Sequence, residues 1–307
     1  MDIFIQQLIN GLVLGAIYAL VALGYTMVYG ILGLINFAHG EVVMIGAMVA
    51  LSAIQLLSGS GLPGPAIAAG GLLVAIPVCM LLGYSIERIA YRPLRAAPRL
   101  TPLITAIGVS IVLQNVAMII WGRNYHSFPA LLPVTPRSVA GAIVSDLQLF
   151  IVLLSCAIMA GLLLLVHRTR LGRAMRATSQ NPEVAGLMGV NINTVISLTF
   201  VIGSALAAVA GLMVSAYYGV AHYFMGFMLG LKAFTAAVLG GIGNLAGAML
   251  GGVLLGVIES MGAGYIGDLT GGFLGSHYQD VFAFLVLILV LTLRPSGLLG
   301  ERVAERS

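Results

Sequence analysis

Three polar side chains, Asn36, His39 and Glu41, stand in the stretch INFAHGEVVMIGAMVA (35–50), against an otherwise apolar run. An amide, an imidazole and a carboxyl can hydrogen-bond a solute, and polar groups held at membrane depth are costly enough to face a bundle interior or a cavity. If 35–48 is helical, Asn36, His39 and Gly40 fall on one side and Glu41 points about 140° away from Asn36. We expect Asn36 and His39, with Glu41 nearby, to line a translocation pathway or brace its gate. An architectural reading competes: His39 caps a broken helix and Glu41 binds its amide ends. A second cluster, Gly240, Gly241, Gly243 and Asn244, lies in GLKAFTAAVLGGIGNLAGAMLGG (230–252), where seven glycines punctuate apolar sequence. Broken helices of that composition point to transport sites, because unwound backbone offers donors and acceptors at depth. Glu259 is a further cavity candidate, whereas Glu87 beside Arg88 reads as a solvated boundary residue.

Catalytic constellations are missing. A phosphate-binding P-loop needs Lys followed by Ser or Thr after a glycine-rich stretch, and the single lysine, Lys232, is followed by Ala233. There is no HExxH, no Cys/His metal spacing and no GxSxG. The chain therefore reads as no enzyme, with no cofactor or metal of its own, and any energy source lies elsewhere.

The elements that position these residues follow from composition. Apolar residues make up 60% and charged residues 8% of 307 positions, against about 45–50% and ~25% in soluble domains. This is the composition of an integral membrane protein. With about 20 apolar residues needed per crossing, we expect an all-α polytopic protein with eight spans near 5–29, 40–57, 66–87, 101–121, 147–167, 193–217, 244–262 and 279–293, and room for one more. The chain reads as a single membrane domain over 1–307. No cleavable leader is evident, because the first apolar stretch is long enough to remain as a span.

The net charge of +4 marks topology rather than nucleic acid. Two loops hold eight of the thirteen arginines: Arg88, Arg92, Arg95 and Arg99, then Arg168, Arg170, Arg173 and Arg176. The positive-inside rule makes both cytoplasmic, so the loop 122–146 between them is expected to face outward, and the N-terminus to lie outside unless residues 30–40 hide another partial crossing. The short tail 294–307, with Arg294, Arg302 and Arg306, should be cytoplasmic as well. Three simple crossings after residue 192 would put it outside, so a segment within 219–265 must break the count, and the glycine-rich 230–252 is the candidate for a broken or re-entrant element. Cys79 and Cys156 lie within spans and are expected to be free thiols. Gly11, Gly15 and Ala19, then Gly203, Ala207 and Gly211, then Gly247 and Gly251 follow the small-xxx-small spacing of tightly packed membrane helices.

The segment 168–192 reads differently from the spans. Asn181 suits an N-cap, Pro182 the first helical position, Glu183 the positive end of the dipole and Gly189 the C-terminal cap. Val184, Leu187 and Met188 then form an apolar stripe on a helix of about two turns outside the bilayer. A groove of a cytoplasmic protein is the expected partner, with the membrane surface or the chain's own spans as competitors; Arg173 and Arg176, one turn apart, can pair with acidic rims of such a groove.

These stretches, together with GAIYALVALGYTMVYGILGLINFAHGEVVMIGA (15–47), SIERIAYRPLRAAPRLTPLITAIGVSIVLQN (85–115), LGRAMRATSQNPEVAGLMGVNINTVISLTFVIGSALAAVAG (171–211) and RPSGLLG (294–300), resemble the H-type permease subunits of bacterial high-affinity branched-chain amino-acid ABC importers. The resemblance covers nearly the whole chain; 122–146 matches poorly. It implies a heterodimer with a second, homologous permease, two cytoplasmic ATPase subunits that hold ATP and Mg, and an extracytoplasmic binding protein, all at the bacterial inner membrane. It also implies that Gly172, Arg173, Arg176, Asn181, Pro182, Val184, Leu187, Met188 and Gly189 belong to the ATPase coupling segment. A urea or short-amide permease of the same superfamily is the alternative; an autonomous secondary transporter is a more distant one.

Overall fold

In the computed structural model, which describes residues 2–95, 97–98, 100–131, 135–139, 141–271, 273, 279–294 and 296–300, the eight apolar runs all become helices. They are α1 (Asp2–Leu32), α2 (His39–Leu57), α3 (Gly64–Ser85), α4 (Leu100–Trp121), α5 (Asp146–Arg168), α8 (Ile192–Tyr218), α10 (Leu245–Leu269) and α11 (Gln279–Leu293). Between α5 and α8 lie two shorter helices, α6 (Arg170–Gln180) and α7 (Pro182–Leu187), and between α8 and α10 lies α9 (Met225–Gly240). Among the described residues, seven helices are long and apolar enough to cross a membrane, while α9 and the Phe284–Leu293 part of α11 are apolar but shorter. The chain is a multi-pass membrane protein.

Glycine decides how the helices dock. On α1 a Cβ at Gly11 would sit 2.6 Å from the Val257 Cα, and one at Gly15 would sit 2.7 Å from that of Val253; Gly252 abuts Ala19 in the same way. The two helices therefore run antiparallel at backbone contact. Gly247 and Gly251 meet Gly240 and Ala236 of α9, and Gly211 meets Val43 and Ala47 of α2. All three small-residue sets thus lie at helix crossings, where close approach replaces the hydrophobic drive that lipid cannot supply. α1 is the axis of the molecule, almost wholly buried, whereas α3, α4 and α5 turn most of their apolar surface outward. Cys79 is buried with its Sγ 3.6 Å from the Val42 carbonyl, Cys156 is exposed, and both are free thiols.

Two ends can be distinguished. At one, the hairpin end, β1 (His126–Ser127) pairs with β4 (Val220–Ala221) and β2 (Pro136–Val139) with β3 (Ala142–Ser145). There Gln6 exchanges two hydrogen bonds with the Ile143 backbone. At the other, the arginine-rich end, the connection 33–38, a π-helical turn (Ile86–Tyr91), α6, the start of α8 and the turn 241–244 come together. The tail joins them, since Leu298 and Leu299 donate to the carbonyls of Leu239 and Gly240, both at 2.9 Å. Arg99, Arg302 and Arg306 lie outside the described residues.

Two expectations need correction. Residues 35–48 are not one helix: α1 stops at Leu32, Gly33 takes φ +65, and α2 begins at His39. The Asn36 Oδ1 accepts the Ala38 N–H at 3.2 Å, a local side-chain bond that competes with helix, so Asn36 and His39 do not share a helical face. The glycine-rich 230–252 is not one short element: it divides between α9, which begins upstream of it, and α10, and the two close as an antiparallel hairpin. The 16 residues of α9 rise about 24 Å, less than the ~30 Å hydrocarbon core, against 31 residues in α1. It is level with the end of α1 at the arginine-rich end, where Gly243 lies against Gly30, and stops short of the hairpin end.

Candidate functional site

The most protruding site is the α6–α7 elbow. Thr169 caps α6 by accepting the Gly172 N–H at 3.0 Å. Gly172 has no room for a side chain, a Cβ there falling 2.1 Å from the Val166 carbonyl; this close approach lets α6 fold back across the end of α5. The Arg176 guanidinium donates to that same Val166 carbonyl, so it secures the fold-back, while Arg173 remains exposed. Met175 on the inner face packs with Leu23 and Met27 of α1, Leu162 of α5 and Val195 and Leu206 of α8. α6 is a second helix in a segment read from sequence as one; its signal was the threonine before the run and the apolar positions 171 and 175.

α7 is built as its sequence suggested. The Asn181 Oδ1 accepts the Val184 N–H at 3.1 Å. At the far end Val190 donates to Ala185 and Gly189 to Gly186, both at 3.0 Å, with Gly189 at φ +86: a Schellman cap, for which glycine removes the left-handed penalty. The apolar stripe faces away from the protein, with Val184, Leu187 and Met188 at 52%, 86% and 81% exposure. Neither the chain's own spans nor any other described element covers it.

The polar trio at the start of α2 is enclosed. Asn36, His39 and Glu41 are buried. The Asn36 Oδ1 also accepts from the Tyr91 hydroxyl at 3.0 Å, tying the 33–38 connection to the π-helical turn. His39 packs edge-on to Tyr25 at 4.9 Å and fills the space that a side chain at Gly24 would need. The Glu41 Oε1 accepts from Ser110 at 3.1 Å and Gln114 at 2.7 Å on α4; its Oε2 faces Gly226 of α9 and has no hydrogen-bond partner among the described residues. Gly240, Gly241, Gly243 and Asn244 are brought together elsewhere, at the arginine-rich end. Asn244 accepts the Gly247 N–H at 3.0 Å to cap α10 and donates to the Leu299 carbonyl at 2.9 Å, while Gly241 at φ +107 packs on Gly300.

Sequence reasoning misread one charged knot and named only one member, Glu259, of a second. Glu87 is fully buried rather than solvated: its oxygens accept from Arg95 and from Ser197 of α8, the latter at 2.6 Å. The π-helical turn carries it inward together with Tyr91. The second knot centres on Lys232 of α9, whose Nζ lies 2.8 Å from Glu259 of α10 and 2.7 Å from Asp280 of α11. The Tyr18 hydroxyl of α1 donates to the same Glu259 oxygen at 3.2 Å. Above the knot opens a cavity of about 330 Å³ toward the hairpin end, lined by Tyr18, Tyr218, His222, Met228, Leu229 and Lys232 among others. It exists because α9 starts late, leaving a recess bounded by the middle of α1 at Tyr18, the end of α8 and the segment 220–224. A lone lysine in an apolar segment was the available signal.

Comparison with known proteins is consistent along the whole chain. The family model described as "Branched-chain amino acid transport system / permease component" matches residues 7–291. The high-affinity branched-chain amino acid transport system permease protein BraD of Pseudomonas aeruginosa is 50% identical over 99% of this chain and 98% of its own length. LivH of Escherichia coli, described in the same terms, is 45% identical over 99% and 97%. A probable branched-chain amino acid transport permease, LivM of Methanocaldococcus jannaschii, is 26% identical over 93% and 91%.

Proposed function

We propose, because this chain belongs to the branched-chain amino acid transport permease family, that it is one half of the translocation pathway of an ATP-driven importer for branched-chain amino acids in the bacterial inner membrane. It is a transport subunit and not an enzyme. A second, related permease completes the pathway, two cytoplasmic ATPase subunits bind ATP and Mg, and an external binding protein delivers cargo at the hairpin end. The observation that carries this reading is the doubly capped α7, which holds three large apolar side chains out in solvent at the arginine-rich end. Exposed apolar residues on a preformed helix suit a groove in a partner, and α6 connects that helix to α1 and α8. ATP-driven closure of the partner would rock the elbow and, through α6, the two helices that flank the cavity.

The cavity suits the cargo. Val214, Met225, Met228 and Leu229 offer apolar surface for a branched side chain, while Lys232 and Tyr18, with Glu259 buried behind them, lie at its base for the charged groups of an amino acid. In this reading Asn36, His39 and Glu41, with Gly240, Gly241, Gly243 and Asn244, brace the helices around the pathway at its cytoplasmic side. The test is a double variant, Leu187→Asp with Met188→Asp, in the reconstituted complex. Because both side chains are exposed, folding should be unchanged, and we expect ATPase association and leucine uptake to fall at least about tenfold, since two apolar contacts of ~1.5–3 kcal/mol each are lost. Unchanged association and uptake would refute the coupling role. ATPase stimulation compared across leucine, isoleucine, valine, urea and polar amino acids then identifies the cargo.

A further inference from the structure

At the arginine-rich end a cleft of about 420 Å³ lies between the last turns of α3 and the start of α8. The inward positions of the π-helical region, Glu87, Tyr91 and Arg95, are spent on Ser197, Asn36 and each other. The outward positions, Arg88 and Arg92, line the cleft and make no ion pair among the described residues. Two like charges four residues apart on one face repel, and a group carrying negative charge between them would relieve that repulsion. Arg88 is already oriented: its Nη1 donates to the Tyr84 hydroxyl at 3.1 Å and its guanidinium lies 5.9 Å from that ring's centroid. Across the cleft stands the N-terminus of the 27-residue α8, with Asn191 and Thr194 at its mouth, adding the positive end of a long helix dipole. Among the described residues no carboxylate lines the cleft. Toward the middle of the bundle its wall becomes apolar, through Leu198 and Val201 on α8, with Leu81 of α3 exposed nearby in the chain.

We propose that this cleft binds the phosphate of an anionic phospholipid, with Arg88 and Arg92 on the phosphate and an acyl chain along Leu198 and Val201. A free phosphate would use the two arginines and leave the apolar wall bare; the lipid uses both. The lipid would also bridge α3 to α8, the pair of helices that Glu87 and Ser197 join from inside.

Native mass spectrometry of the detergent-purified full chain, titrated with phosphatidylglycerol or phosphatidylcholine, tests this. Wild type should hold phosphatidylglycerol at least about tenfold more strongly than phosphatidylcholine. The Arg88→Gln, Arg92→Gln variant should lose that preference, and Arg173→Gln, which alters an arginine outside the cleft, should keep it. Leu198→Trp leaves both guanidiniums in place and narrows the apolar limb; it should weaken phosphatidylglycerol several-fold. Preference retained in the double-arginine variant overturns the site. Displacement of the lipid by millimolar inorganic phosphate, with Leu198→Trp inert, overturns the lipid in favour of a free anion.

Discussion

Glu87 and Glu259 are both fully buried carboxylates paired with a cation, yet their surroundings differ in one respect. Both oxygens of Glu87 are taken, one by Arg95 and the other by Ser197. Glu259 crowds Lys232 and Tyr18 onto a single oxygen and leaves Oε2 with no hydrogen-bond partner among the described residues, while Lys232 borders an open cavity. A saturated pair acts as a staple between the π-helical turn that follows α3 and the start of α8. An unsaturated pair beside a cavity can exchange partners with a passing charged group. The number of satisfied lone pairs, more than the presence of the ion pair, separates architecture from transport here.

Removing one partner has the largest expected effect in both knots. Glu87→Ala leaves the part-buried Arg95 without its counter-charge and should destabilise the detergent-solubilised chain by about 3 kcal/mol, the low end of what orphaning a fully buried charge costs; thermal unfolding reads it. Replacing whole pairs sharpens the comparison. Glu87→Gln with Arg95→Met should recover most stability and leave the leucine KM unchanged in surviving protein. Lys232→Met with Glu259→Gln and Asp280→Asn, which neutralises all three members of that knot, should recover stability too but raise the uptake KM several-fold. If the first pair moved KM and the second did not, the assignment of staple and site would be reversed.

The glycines that seat each carboxylate come next. Gly256, one turn before Glu259, meets the Gly15 backbone, with a Cβ only 2.2 Å from the amide nitrogen; Gly83, one turn before Glu87, meets chiefly the rotatable Ser204 hydroxyl. Alanine at 256 must separate α10 from α1 and should cost about 1–3 kcal/mol by overpacking. Alanine at 83 should cost less, since Ser204 can turn away; equal unfolding temperatures for the two variants would contradict this.

The smallest pair of changes removes single hydroxyls. Tyr91→Phe deletes the 3.0 Å bond to Asn36 and Tyr18→Phe the 3.2 Å bond to Glu259, each worth about 1 kcal/mol net. The first should lower stability alone, while the second should also shift uptake, because Tyr18 lines the cavity. Uptake altered equally by both would erase the distinction.

Much of this molecule is legible in its sequence wherever partners lie within a few residues. Asn181 and Gly189 cap α7 through bonds spanning three to five positions, and the apolar runs specify helices because lipid leaves the backbone no other partner. The small-residue spacings mark crossings for the same local reason: i and i+4 share a face. Asn36 shows the limit even at short range, since its bond to the Ala38 N–H broke a helix that periodicity alone would continue.

What only the tertiary structure decided is which charges meet. Glu87 and Ser197 are 110 positions apart, Tyr18 and Glu259 241, and whether such groups face each other depends on the rotation and depth of whole helices. Those are set by glycine contacts between backbones and by the late start of α9, none of which a local pattern encodes. Composition, caps and spans follow from chemistry between near neighbours; the knots and the cavity follow from packing, and packing is a property of all the helices at once.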